Sequence, residues 1–155
     1  MVSSPREEKR VSLSGAETVR IGEEFGERYL RDGTVLCVRG ELGAGKTHFI
    51  KGIAGSLGID ERDITSPTFA LAHEFDCLRQ GQPFRLYHLE CYRFEKPEEL
   101  LELGVEDYLY PKHAATIIEW PERISALIPT GAITLEILVV SETEREIKWT
   151  RMNVE

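Results

Sequence analysis

The sequence predicts one α/β domain built on a mixed, partly antiparallel sheet flanked by helices, and three observations carry that expectation. Gly40-Glu-Leu-Gly-Ala-Gly-Lys-Thr47 is a complete G-x-x-x-x-G-K-[ST] phosphate-binding loop. Two strand-like runs, 68–75 and 84–92, are joined by a link too short for a crossover and so pair antiparallel. A second such pair, 132–140 and 144–152, closes the chain around Glu142-Thr143. The loop makes the expected fold P-loop NTPase-like, with residues 1–10 as a charged, mobile tail and the domain running from 11 to 155.

Each element has its own signal. Val11-Ser12-Leu13 suits a short edge strand. Ser14-Gly-Ala-Glu17 has the S-x-x-E form of a capping box, and Ala16, Val19, Phe25 and Tyr29 continue an amphipathic helix to about Arg31. Asp32-Gly33 turns the chain into Thr34–Val38, a buried strand by its apolar, β-rich composition. After the loop, Phe49, Ile50, Ile53, Ala54 and Leu57 fall at helical spacing. Lys96–Gly104 reads as a short helix with proline near its start and glycine at its end. Ala115–Ile118 is another buried strand, and it delivers Glu119-Trp120-Pro121 at its carboxyl end.

The chemistry expected of the loop follows from its residue types. Glycines let successive backbone N–H groups curl toward a polyphosphate, and the helix that follows adds its dipole. Leu42, Gly43, Ala44, Gly45, Lys46 and Thr47 lie in this expected cradle for a nucleoside triphosphate, which the family resemblance given below implies is ATP. Lys46 reaches the β- and γ-phosphates, and the Thr47 hydroxyl takes a place on Mg²⁺. Ligands of open α/β sheets gather beyond the carboxyl ends of strands, which makes Glu119 a candidate for holding the metal directly or through water.

Trp120 could wall the nucleotide site, dock a partner or fill core. Thr65–Phe69 is either a switch-like segment sensing the γ-phosphate or a polar turn. On one strand His88, Glu90 and Tyr92 share a face, so His88 and Glu90 could position a water or a metal, or form a half-buried polar pair. His48, His73 and His113 have no such constellation.

Composition narrows the classes. Hydrophobic content of 41% and charge of 30% are ordinary for a globular domain. A formal net charge of −8 argues against direct, non-specific nucleic-acid binding. No apolar stretch approaches the roughly 18 residues of a membrane span, and the first ten residues lack a signal-peptide core. Cys37, Cys77 and Cys91 are scattered, which suits reduced thiols in a cytoplasm.

These segments, in this order, resemble the TsaE (YjeE) family, the bacterial ATPase of tRNA threonylcarbamoyladenosine biosynthesis. The resemblance runs from about Leu13 to Trp149 and rests on the loop, Ser66-Pro-Thr-Phe69, His88-x-x-x-Tyr92-Arg93, Pro97-Glu-Glu-Leu100 with Leu103-Gly104, and Glu119-Trp120-Pro121. It implies a cytoplasmic ATPase that uses ATP and Mg²⁺ and works with TsaB-like and TsaD-like subunits. The latter transfers the threonylcarbamoyl group to adenosine 37 of tRNAs reading codons that begin with A. It also implies that tRNA is met through the complex, that Thr47 and Glu119 hold Mg²⁺, that Thr68 and Trp120 lie near the nucleotide, and that Arg145 approaches the adenine side.

With these implications, Lys46, Glu90 and Glu119 are the expected catalytic set. Two positions depart from the family pattern: Glu90 stands where Asp is usual, and His48 where Thr or Ser commonly follows the Lys-Thr pair. Two other functions share the loop, a small-molecule kinase and a nucleotide-gated binding module with negligible turnover. A guanine-reading Asn-Lys-x-Asp segment is absent from the sequence, which excludes the usual GTPase pattern.

Overall fold

The computed structural model describes residues 2–64, 72–92, 96–102 and 104–154. The described strands form one seven-stranded sheet, and chain order fixes their labels. Strand β1 is Val2–Ser12, helix α1 Gly15–Tyr29, strand β2 Val35–Arg39 and helix α2 Lys46–Ser56. Strands β3 (Ala72–Arg79) and β4 (Gln82–Glu90) precede two short helices, α3 (Pro97–Glu102) and α4 (Glu106–Leu109). Strand β5 is Ala114–Glu119, β6 Ile133–Val139 and β7 Arg145–Val154.

The sheet order is β1-β7-β6-β2-β5-β4-β3. Strand β2 lies between β5 and β6 and is parallel to both, and β4 is parallel to β5. The outer pairs β1/β7, β6/β7 and β3/β4 are antiparallel. The mixed sheet is therefore as the sequence predicts. Its parallel centre aims the carboxyl ends of β2, β4 and β5 the same way, toward one rim.

Helices α1 and α2 pack on one face with their backbones almost touching. A Cβ placed on Gly52 would lie 2.0 Å from the Val19 carbonyl oxygen, and one on Gly22 would lie 2.2 Å from the Phe49 carbonyl oxygen. Only glycine fits at that crossing. Ile21, Phe25, Phe49, Ile50 and Ile53 then bury against Leu36, Val38, Leu86, Ile117 and Leu135 of the sheet. On the other face Val35, Cys37, Leu89 and Ile118 pack with Val105, Leu109 and Ile124. Burial pushes the Cys37 and Cys91 thiols up to about 12, so both stay protonated and behave as small apolar groups.

Local rules account for the element ends. Ser14 Oγ accepts the Glu17 N–H at 3.0 Å, the cap expected at the start of α1. The helix stops at Tyr29, two residues before the expected end, because Leu30 is extended and fully buried. The β3–β4 turn is tighter than predicted. Gln80 and Gly81 take φ of 52° and 76°, consistent with a two-residue type I′ hairpin turn, so Gln82 and Pro83 already belong to β4. Strand β3 accordingly runs to Arg79 instead of stopping at Phe75.

The largest correction is at the N-terminus. Residues 2–10, expected as a mobile tail, are part of β1, which pairs with β7 from Pro5↔Met152 to Ser12↔Arg145. Charge made the segment read as unstructured, yet charged residues suit an edge strand with one open side. Arg10 is ion-paired to Glu24 at 2.7 Å, and the Tyr29 hydroxyl donates to Glu8 at 2.7 Å, tying the strand to α1. Among the described residues no helix is long and apolar enough to cross a membrane.

Candidate functional site

The loop between β2 and α2 is set by two glycines in the left-handed region, Gly43 at φ 81° and Gly45 at φ 108°. Gly45 is also the N-cap of α2, where it offers no side-chain hydrogen bond to the helix, and the first turn has no acidic residue. The first amides of α2 are thus left for another acceptor. Gly40 sits so close to the sheet that a Cβ there would lie 3.1 Å from the Ile137 carbonyl oxygen. Leu42, at the crest of the loop, is 80% exposed, while Ala44 is buried beneath it.

Lys46 is the informative residue. It is 7% exposed, and among the described residues no carboxylate approaches its ammonium within ion-pair distance. Its Nζ lies 4.2 Å from the centroid of the Trp120 ring, a cation–π contact. A buried ammonium without an acidic partner, at the N-terminus of a helix, makes a site for an anion. Thr47 follows, half-buried.

The acidic side is assembled from neighbouring strands. Glu119 ends β5 and is in register with Val38 of β2 on one side and Glu90 of β4 on the other. The residue is 5% exposed, and its carboxylate meets His88 Nε2 at 2.6 Å. The partner of His88 is therefore Glu119 across the sheet, where the sequence suggested Glu90 along the strand. Parallel β4/β5 pairing causes this, since His88, Glu90 and Glu119 all project from one face. Glu90 is half-buried and turns one oxygen to the Tyr92 N–H at 2.5 Å. His73, across from His88 on β3, has its pKa lowered by partial burial and by the His88 charge.

Trp120 follows Glu119 with φ of 58°, a strained conformation for an aromatic residue. That geometry lays its ring between Lys46 and Tyr92, whose ring centroid is 4.9 Å away. Arg145, at the start of β7, reaches the loop from the opposite direction. Its Nε donates to the Ala44 carbonyl at 3.0 Å, and its Nη1 donates to the Ser141 carbonyl at 2.8 Å. One guanidinium thus clasps the β6–β7 turn to the phosphate loop.

A cavity of about 310 Å³ lies beside this clasp, lined among others by Ser14, Thr18, Gly43, His48, Thr143 and Arg145. The sequence reading did not single out Ser14, Thr18 or Thr143 for the site. Ser14 and Thr18 come from the start of α1 and Thr143 from the β6–β7 turn, and no local pattern places those two segments together. The His48 ring packs against Gly15 at this same place, where a Cβ would come within 3.1 Å of Nε2. Thr68 and the rest of Ser66–Phe69 lie outside the described residues, as does Arg93.

A glycine loop between a central parallel strand and a helix, with carboxylates ending the neighbouring parallel strands, defines a P-loop NTPase-like α/β protein. The chain belongs to the TsaE family of tRNA threonylcarbamoyladenosine biosynthesis: the family model for "Threonylcarbamoyl adenosine biosynthesis protein TsaE" matches residues 12–147. A TsaE protein of Treponema pallidum is 38% identical over 137 residues, covering 88% of this chain and 96% of that protein. One from Bacillus subtilis is 35% identical over 122 residues, covering 79% of this chain and 72% of that protein. The crystal structure of Bacillus subtilis YdiB superposes with a TM-score of 0.75 at 29% identity, covering 96% of this chain and 88% of that one.

Proposed function

We propose that this chain is the Mg²⁺-dependent ATPase subunit of the assembly that adds the threonylcarbamoyl group to adenosine 37 of tRNAs reading ANN codons. The observation that carries the nucleotide reading is Lys46, a buried ammonium with no carboxylate partner among the described residues, set at the uncapped start of α2. The polyphosphate of ATP answers both features. Family membership supports the pathway. TsaB-like and TsaD-like subunits are the expected partners, with tRNA met through them, and the cytoplasm is the expected compartment.

The donor set fits Mg²⁺, which takes one or two carboxylates and leaves its remaining positions to water and phosphate. Among the described residues no cluster of three or more acidic, His or Cys side chains could hold a metal unaided. Thr47 and Glu119 would hold the ion together with the nucleotide. It would supply positive charge that offsets the negative charge of the polyphosphate. Lys46 leaves the Trp120 face to meet the same phosphates, and the α2 amides donate to them. Glu90, in register beside Glu119, orients the attacking water. Arg145 and the cavity beside it suit the base and sugar.

The kinase reading needs free arginines over the phosphates. The sequence offers Arg85, Arg93 and Arg123 for that role; of the two described, Arg85 is ion-paired to Asp76 and Glu74, and Arg123 lies over the Tyr92 ring. The test is an ATPase assay of the chain alone and with TsaB-like and TsaD-like subunits. The expected result is slow hydrolysis alone and faster hydrolysis in the assembly. Efficient phosphate transfer to a small metabolite without partners would overturn the reading.

A further inference from the structure

We infer that His88 is a positioning residue that holds the Glu119 carboxylate in its metal-binding orientation before the metal arrives. The inference rests on the Mg²⁺ role proposed for Glu119. Three observations carry it: the contact of 2.6 Å between His88 Nε2 and Glu119 Oε2, the burial of both side chains, and the His88 Nδ1 atom, buried with no hydrogen-bond partner among the described residues.

A carboxylate only accepts, so Nε2 carries the proton and donates it. Nδ1 has no partner among the described residues, so the ring's one side-chain hydrogen bond goes to Glu119. The bond occupies Oε2 and leaves Oε1 for a ligand. Glutamate has three side-chain torsions, and each free torsion would have to be frozen on metal capture. His88 freezes them beforehand. Strand register makes the arrangement stiff, because His88 pairs with Ile117 and Glu119 with Glu90 in the same β4/β5 ladder. Both side chains are nearly fully buried, which limits competition from water for the bond.

A buried pair of this kind could instead serve stability alone, and the two roles separate by experiment. The measurement is equilibrium ADP binding, read by calorimetry, across a series of free Mg²⁺ concentrations and in EDTA. His88→Leu and His88→Asn both remove the donor that reaches Glu119. His88→Gln keeps an amide N–H at about the reach of Nε2. Either donor-less variant that folds is expected to need about 10–100-fold more Mg²⁺ for half-maximal tightening of ADP binding. Its affinity in EDTA should match the wild type, and His88→Gln should restore most of the Mg²⁺ response.

An unchanged Mg²⁺ midpoint in the donor-less variants would overturn the inference, as would a His88→Gln variant as impaired as they are. A wild-type chain whose ADP affinity ignores Mg²⁺ would overturn the metal reading itself, and the positioning role with it.

Discussion

Eight consecutive residues, Gly40–Thr47, make the proposed phosphate side of the site, whereas its acidic side takes His88 and Glu90 from one strand and Glu119 from the next. The first is held by local backbone geometry: two left-handed glycines, a helix start, and a clasp from Arg145. The second exists only because β4 and β5 run parallel in one register. A contiguous device tolerates changes elsewhere in the sheet. An assembled one depends on every strand that positions it, so the two sides should fail differently when disturbed.

The largest expected effect is on the phosphate side. Lys46→Ala should lower kcat/KM for ATP by about 10²–10³-fold, the usual scale for removing one charge-stabilising donor. Retained activity, measured as phosphate release, would break the assignment of that side. Glu90→Gln should separate the two sides: kcat falls by about 10-fold or more while ATP affinity changes little, because water orientation acts on the transition state. Equal losses in both would place Glu90 in binding.

Fold stability offers a sharper contrast within α2. Gly52→Ala should destabilise by about 1–3 kcal/mol in chemical denaturation, since its Cβ would meet the Val19 carbonyl oxygen at 2.0 Å. Gly55→Ala, where the Cβ would lie 3.6 Å from a Glu23 side-chain oxygen, should stabilise by roughly 0.5–1 kcal/mol through helix propensity. Arg145→Ala should raise the KM for ATP by about 2–10-fold with kcat nearly unchanged, the range expected for loss of a single clasp to backbone carbonyls.

The same contrast explains what was legible in the sequence. The phosphate loop, the Ser14 cap and the closing hairpin each lie within one short segment, and each was readable from residue types and spacing. Helix α4 was not, because four residues are too few to show a period. The N-terminal strand was missed because its charges signal solvent contact, and an edge strand and a tail share that property. His88 was recognised as a candidate but paired along its own strand. Its contact with Glu119 spans 31 residues and depends on strand order, which no local pattern carries. The Lys46–Trp120 contact was hidden for the same reason.

On the proposed function, one side of the site binds nucleotide and the other adds a metal to it. The most direct test is calorimetric ADP binding to the wild type and to Glu119→Gln, each with Mg²⁺ and with EDTA. Equal affinities are expected in EDTA, with a Mg²⁺-dependent gain that only the wild type shows. A Glu119→Gln variant with the full Mg²⁺ gain, or a wild type that binds no nucleotide in either condition, would contradict it.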